Sequence, residues 1–94
     1  MIVRVAAFGE AIESDQAAVD RLQNALTLDQ RIVMLREQVE RSTQTRYQEG
    51  VVTASEYLDR SSELLQARYT RAGHQVELAQ SGARLLTTLG LEVR

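Results

Sequence analysis

Residues 46–60, Arg-Tyr-Gln-Glu-Gly-Val-Val-Thr-Ala-Ser-Glu-Tyr-Leu-Asp-Arg, are where a helical pattern stops and then restarts. Gly50 is the residue type that tolerates the left-handed backbone just past a helix end, so the first helix is predicted to close there. Thr53-Ala54-Ser55-Glu56 has the form of a capping box. The Thr53 hydroxyl accepts from the Glu56 N–H, and the Glu56 carboxylate reaches back to the Thr53 N–H. Val52 and Tyr57 stand where a hydrophobic staple would place them. A connection this short turns the chain back on itself, with the two helices antiparallel.

Outward from the break, apolar residues recur every seventh position. Before it, Val5, Ile12, Val19, Leu26 and Val33 form one column. Ala11, Ala18, Ala25, Ile32 and Val39 form a second beside it, because consecutive residues lie about 100° apart around a helix. After the break the main column is Val51, Leu58, Leu65, Ala72, Ala79, Leu86 and Val93. Tyr57, Leu64, Leu78 and Leu85 flank it on one side, and Tyr69, Val76 and Ala83 on the other. This is coiled-coil periodicity. The predicted fold is all-α, a long antiparallel two-helix coiled-coil hairpin with helices over about 10–49 and 53–89, residues 1–9 fraying or extending helix one. Gly73 and Gly82 are read as points where a neighbouring helix comes close, and Gly90 as the closing cap.

Two helices packed only on each other need one narrow seam, whereas each helix here offers two or three adjacent apolar columns. The surplus calls for self-association, or for an assembly in which every helix has neighbours on both sides.

Composition narrows the function. The 94 residues carry no proline, cysteine or tryptophan and only 4% aromatics, as long helices do. The net charge of −2, from 13 acids against 11 arginines and no lysine, provides no basic stripe for a phosphate backbone, so nucleic acid is not an expected partner. The opening Met-Ile-Val-Arg-Val-Ala-Ala-Phe is interrupted by Arg4 and too short to span a membrane. The chain as it stands is read as lacking a signal peptide or anchor, with any targeting segment of a parent protein lying outside it. His74 has no cysteine or second histidine with which to build a metal site. No nucleophile and base arrangement or glycine-rich phosphate loop is recognisable, so neither catalysis nor a cofactor is expected. The Arg36, Glu37, Glu40 and Arg41 cluster contains two opposite-charge pairs at i, i+4 and reads as a solvated face.

Tyr47-x-x-Gly50, then Leu58-Asp59, then Ala67-Arg68-Tyr69, then a helix ending in Leu85-Leu86-Thr87-Thr88-Leu89-Gly90, resembles the second periplasmic hairpin of the TolC-like outer-membrane efflux proteins. The likeness covers about residues 10 to 90, and the order and spacing of the pieces is more specific than any one of them. It implies that the chain is a fragment of a larger α-barrel domain, in a parent that sits in the outer membrane as a trimer. This segment would lie in the periplasm without touching the membrane, and the parent would join a periplasmic adaptor to an inner-membrane pump. By position, Tyr47, Gly50, Val51, Val52 and Thr53 would form the tip that meets the adaptor. Glu56 and Asp59 would face the channel entrance, where an acidic ring favours cations. Thr53 and Glu56 also have a purely structural account as the helix cap, and Asp59 as an acid favoured near a helix start. Val52 departs from the family at a place where some relatives carry a basic residue able to bind those acids. The reading from a different class is a free-standing coiled-coil interaction or scaffold protein that dimerises into a four-helix bundle.

Overall fold

A computed structural model describes the backbone of residues 2–93 and the side chains of residues 9–90. The described residues form two helices, α1 (Ile2–Gln48) and α2 (Ala54–Val93), which pack against each other as an antiparallel hairpin. The reversal and the start of helix two fall where the residue pattern places them.

Helix one begins at Ile2, so that of the two expectations for the first nine residues it is extension of helix one that holds, with Gly9 inside the helix. Gly90 does not cap helix two, which continues through it to Val93. A helical glycine costs about 1 kcal/mol relative to alanine, too little to stop a helix that no proline or left-handed residue interrupts. Gly50 alone among the described residues has a positive φ, 77°. No neighbouring helix of the chain approaches Gly73 or Gly82, where a Cβ would meet nothing within 4 Å.

The chain divides into two compact units, Leu26–Gly73 around the reversal, and α1 up to Ala25 with α2 from His74. In the first, Val33 and Leu64 are buried between the helices, with Leu26, Tyr57 and Ala67 half-buried beside them. In the second, Leu22 and Ser81 are buried, with Ile12, Val19, Leu78 and Leu85 half-buried. There the Thr88 hydroxyl lies 3.4 Å from the Asp15 carboxylate across the seam.

On α1 the seam contains the expected column, Val33 buried and Ile12, Val19 and Leu26 half-buried, together with buried Leu22, Asp29 and Thr43, which neither expected column included; Val5 lies outside the described side chains. On α2 the seam is not the expected column. Leu58, Leu65 and Leu86 of the expected main column are 61%, 53% and 71% exposed, and the flanking column of Tyr57, Leu64, Leu78 and Leu85 faces α1 instead. Val93, at the end of the expected column, also lies outside the described side chains.

The reason for this rotation lies in the polar groups. With Tyr57 and Leu64 inward, the Tyr57 hydroxyl donates to Glu40 at 3.0 Å, Arg36 reaches Glu63 at 2.9 Å, and Arg68 reaches Glu37 at 3.4 Å. Turning α2 by one residue, about 100°, would bury the leucine column and break all three.

The Arg36, Glu37, Glu40 and Arg41 cluster is therefore not simply a solvated face. Glu37 does pair with Arg41 at 3.7 Å as i, i+4. Arg36, Glu37 and Glu40 also make bonds to the opposite helix, which fix the rotation of one helix against the other. Ion pairs this exposed are screened by solvent and contribute little to stability, so their effect is on register.

Candidate functional site

The tip is built from residues 47–53, and its backbone closes helix one in full. The Gly50 N–H donates to the Tyr47 carbonyl at 3.0 Å and the Val51 N–H to the Arg46 carbonyl at 2.9 Å. This pair of bonds is the Schellman closure, and it requires the left-handed residue at Gly50. Helix two starts from Thr53, whose hydroxyl accepts from the Glu56 N–H at 3.1 Å. Of the two bonds of a capping box, this is the one the structure shows.

Tyr47 stacks on Tyr57, with ring centroids 5.5 Å apart and planes 13° from parallel. The stack joins the last turn of α1 to the first turns of α2 directly above the reversal. What remains for a partner to touch is Val51, 70% exposed, the outer edge of Tyr47, and the exposed Gly50 and Thr53; Val52 is half-buried. The structure thus gathers all five expected tip residues at one end of the hairpin.

Glu56 and Asp59 are both exposed on α2. They are not alone. Arg60 follows them, and its affinity for a proton is raised chiefly by its hydrogen bond and charge pairing with Glu63, with smaller contributions from Glu56 and Asp59. The residues that the reading of the sequence did not single out are Arg60 and Glu63, joined at 2.6 Å. An i, i+3 pair of opposite charges was the available signal.

Glu63 is the junction of this edge, accepting from Arg60 through one oxygen and from Arg36 of α1 through the other. The bond from Arg60, with the charges of Arg60 and Arg36, holds the Glu63 carboxyl below its ordinary value of 4.5, against an opposing effect of burial. A lowered carboxylate contributes stability that is complete above the unfolded value and is lost as pH falls through the folded one. The advantage of the native chain over Glu63→Gln in thermal melts is therefore expected to be largest at neutral pH and to shrink below about pH 4.5. An advantage that stays constant through the acid range would show that Glu63 is not held as an anion.

Beside the Arg36–Glu63 pair, an open polar groove of about 280 Å³ is lined by Asp29, Gln66 and Thr70 among others. Among the described residues no three His, Cys, Asp or Glu side chains converge as metal ligands, and no helix is long and apolar enough to cross a membrane.

Large apolar side chains are also uncovered on both helices. Arg36 and Glu37 are consecutive, so they straddle the seam, and the ion pairs Arg36–Glu63 and Glu37–Arg68 mark its two opposite edges. On α1, Ile32 and Val39 are the i−4 and i+3 neighbours of Arg36, and Leu28 and Leu35 lie next to them. Val39, Leu28 and Leu35 are 45%, 58% and 61% exposed. On α2, Leu65 and Ala72 are the i−3 and i+4 neighbours of Arg68, and Leu58 and Tyr69 lie next to them, with Tyr69 71% exposed. The hairpin near its tip thus has an apolar flank on each side, one from each helix. Met34, 54% exposed, lies on the outer face of α1 and lines an open pocket together with Leu35.

No known protein family, curated protein or solved structure matches the chain.

Proposed function

We propose that this chain is the periplasmic helical hairpin of a TolC-like outer-membrane export channel. It forms part of the α-barrel wall and presents its tip to a periplasmic adaptor, which in turn engages an inner-membrane pump. The role is structural, with no catalytic step. The parent is an oligomer, a trimer in the family that the sequence resembles.

The observation that carries this reading is the combination of a fully closed reversal at Gly50 with an apolar flank on each side of the hairpin. A wall element needs helices that meet neighbours to left and right, and it needs a short, well-defined end for docking. The tip offers a small apolar and aromatic surface, Val51 and the edge of Tyr47, ringed by Arg46, Glu49 and Thr53. That composition suits a protein partner with an apolar centre and a polar rim. Glu56 and Asp59 would set the field at the channel entrance, moderated by Arg60.

The competing reading, a free-standing scaffold that dimerises as a four-helix bundle, calls for both apolar surfaces on one face of the hairpin. Their placement on opposite sides favours the wall.

The tip is tested by photocrosslinking in the full-length parent. A crosslinker in place of Val51 is expected to capture a periplasmic protein, and one in place of Gln80, away from the tip, is not. Capture from Gln80 with none from Val51 would contradict docking through the tip.

A further inference from the structure

We infer that α2, from the reversal to Gly73, is a two-position helix: the Glu37, Glu40 and Glu63 carboxylates hold it as described, and their protonation in acid lets it turn about its own axis by one residue. Leu58 and Leu65 then enter the seam, and Tyr57 and Leu64 leave it. The inference rests on the packing of residues 26–73 and holds whichever protein the tip meets.

Apolar burial does not choose strongly between the two positions. Leu64 is 7% exposed and Leu65 53%, yet the two leucines are adjacent, about 100° apart around the helix. Turning exchanges Leu64 for Leu65 and Tyr57 for Leu58, and the hydrophobic effect counts area without regard to direction. Val33 and Leu64 are the fully buried apolar side chains of this unit, so little interlocking has to be undone. The backbone permits the step. A turn of about 100° at a helix radius of about 2.3 Å moves the first turn of α2 by about 3–4 Å, within reach of the connection 49–53. Gly73 ends the unit, and glycine is the residue type that holds a helix least firmly.

The polar bonds do choose, and each has a glutamate as its acceptor. Glu40 accepts from the Tyr57 hydroxyl at 3.0 Å, Glu63 from Arg36 at 2.9 Å, and Glu37 from Arg68 at 3.4 Å. The charged groups around them complete the set. Glu63 also faces Arg60, which in turn feels Glu56 and Asp59, and Glu37 also faces Arg41. Asp29 lines the groove beside the Arg36–Glu63 pair. At neutral pH the three glutamates are anions and all three bonds favour the described position. The Glu63 carboxyl is held below 4.5 chiefly by its bond from Arg60, so its hold is complete at neutral pH and is lost as pH falls through that lowered value. A preference set by a few exposed bonds is small, and a small preference is one that protonation can reverse.

The tip is coupled to the turn through Tyr57, whose ring stacks on Tyr47 at 5.5 Å. When Tyr57 leaves the seam the stack parts, and the face of Tyr47 that it covered is opened close to the exposed Val51. Acidity sensed along the helices thereby alters the surface at the reversal.

Thiol labelling of the full chain reads the face of α2 directly, since the native chain has no cysteine. Leu64→Cys and Leu65→Cys chains are labelled separately with dithiodipyridine, which reacts with thiols in acid as well as at neutral pH, at a dilution where the chain is monomeric. At neutral pH the thiol at position 65 is expected to react several-fold faster than the thiol at 64. Adding Glu37→Ala, Glu40→Ala and Glu63→Ala to both chains removes all three bonds and is expected to reverse that order at neutral pH. Acid is expected to reverse it in chains that keep the three glutamates. Position 65 remaining the faster in the alanine background or in acid overturns the inference. Equal reactivity at the two positions also overturns it, because a chain that unfolds on losing these bonds has no second position.

Circular dichroism of the native chain supplies a second reading. The near-ultraviolet signal of the Tyr47–Tyr57 stack is expected to fall in acid while the far-ultraviolet helical signal persists. A stack signal that stays, or that falls only together with the helical signal, overturns the inference. None of these readings depends on what Val51 captures, so a failed switch and a failed docking tip are separate results.

Discussion

Leu64→Ala is expected to destabilise the chain by about 2–4 kcal/mol, measured by thermal or denaturant unfolding at a dilution where the chain is monomeric. Leu64 is 7% exposed and sits in the seam against α1. Its truncation removes buried methylenes and leaves a void that two long helices cannot readily collapse around. The neighbouring Leu65→Ala is expected to cost less than about 1 kcal/mol under the same conditions. That side chain is 53% exposed in the single hairpin, and alanine favours the helix. The contrast between two adjacent leucines tests the rotation of α2 directly. Equal losses, or a larger loss at Leu65, would mean that α2 presents the other column to α1.

Gly50→Val is expected to lower stability by about 1–2 kcal/mol, a fall of several degrees in melting temperature for a domain of this size. The backbone there has φ 77°, which a β-branched residue resists. A Cβ at Gly50 would meet nothing within 4 Å, so the penalty is one of backbone conformation and not of crowding. The matching control is Gly73→Ala, where the backbone is helical and the space equally open. There the substitution is expected to stabilise the monomer by roughly 1 kcal/mol. Opposite signs at the two glycines would establish where the chain reverses, and an unchanged melting temperature for Gly50→Val would contradict a reversal at that residue.

The reversal itself was legible because its signals are local. Gly50, Thr53 and Glu56 act through bonds spanning three to five residues, and the spacing of residue types is enough to place them. The hairpin followed from the shortness of the connection. The ends of the helices were less legible. Gly90 looks like punctuation, but it carries a modest cost and nothing else there stops a helix.

The face of α2 could not be read from hydropathy. Ranking columns by apolar content chooses Leu58, Leu65 and Leu86, yet the seam contains Tyr57, Leu64, Ala67 and Ser81. What decides between columns separated by one residue is the set of cross-helix partners, Glu40 with Tyr57, Arg36 with Glu63 and Glu37 with Arg68. Those pairings join residues 17 to 31 positions apart, and no local pattern reveals them. The surplus of apolar surface, in contrast, was visible as column width. Its distribution over two opposite edges emerged only with the rotation known.

The same misplacement bears on the candidate site. The tip residues were identifiable from the break, whereas Arg60 and Glu63 were hidden among ordinary helix-surface charges. Their importance comes from Arg36, which approaches from the other helix and makes Glu63 a shared acceptor.

As proposed here, the hairpin is incomplete by itself and is finished by neighbours along both edges. Sedimentation of the native chain over a wide range of concentration is the decisive measurement. The mass is expected to exceed one chain and to continue rising past two as concentration increases. A single species of one chain's mass at every concentration would contradict it.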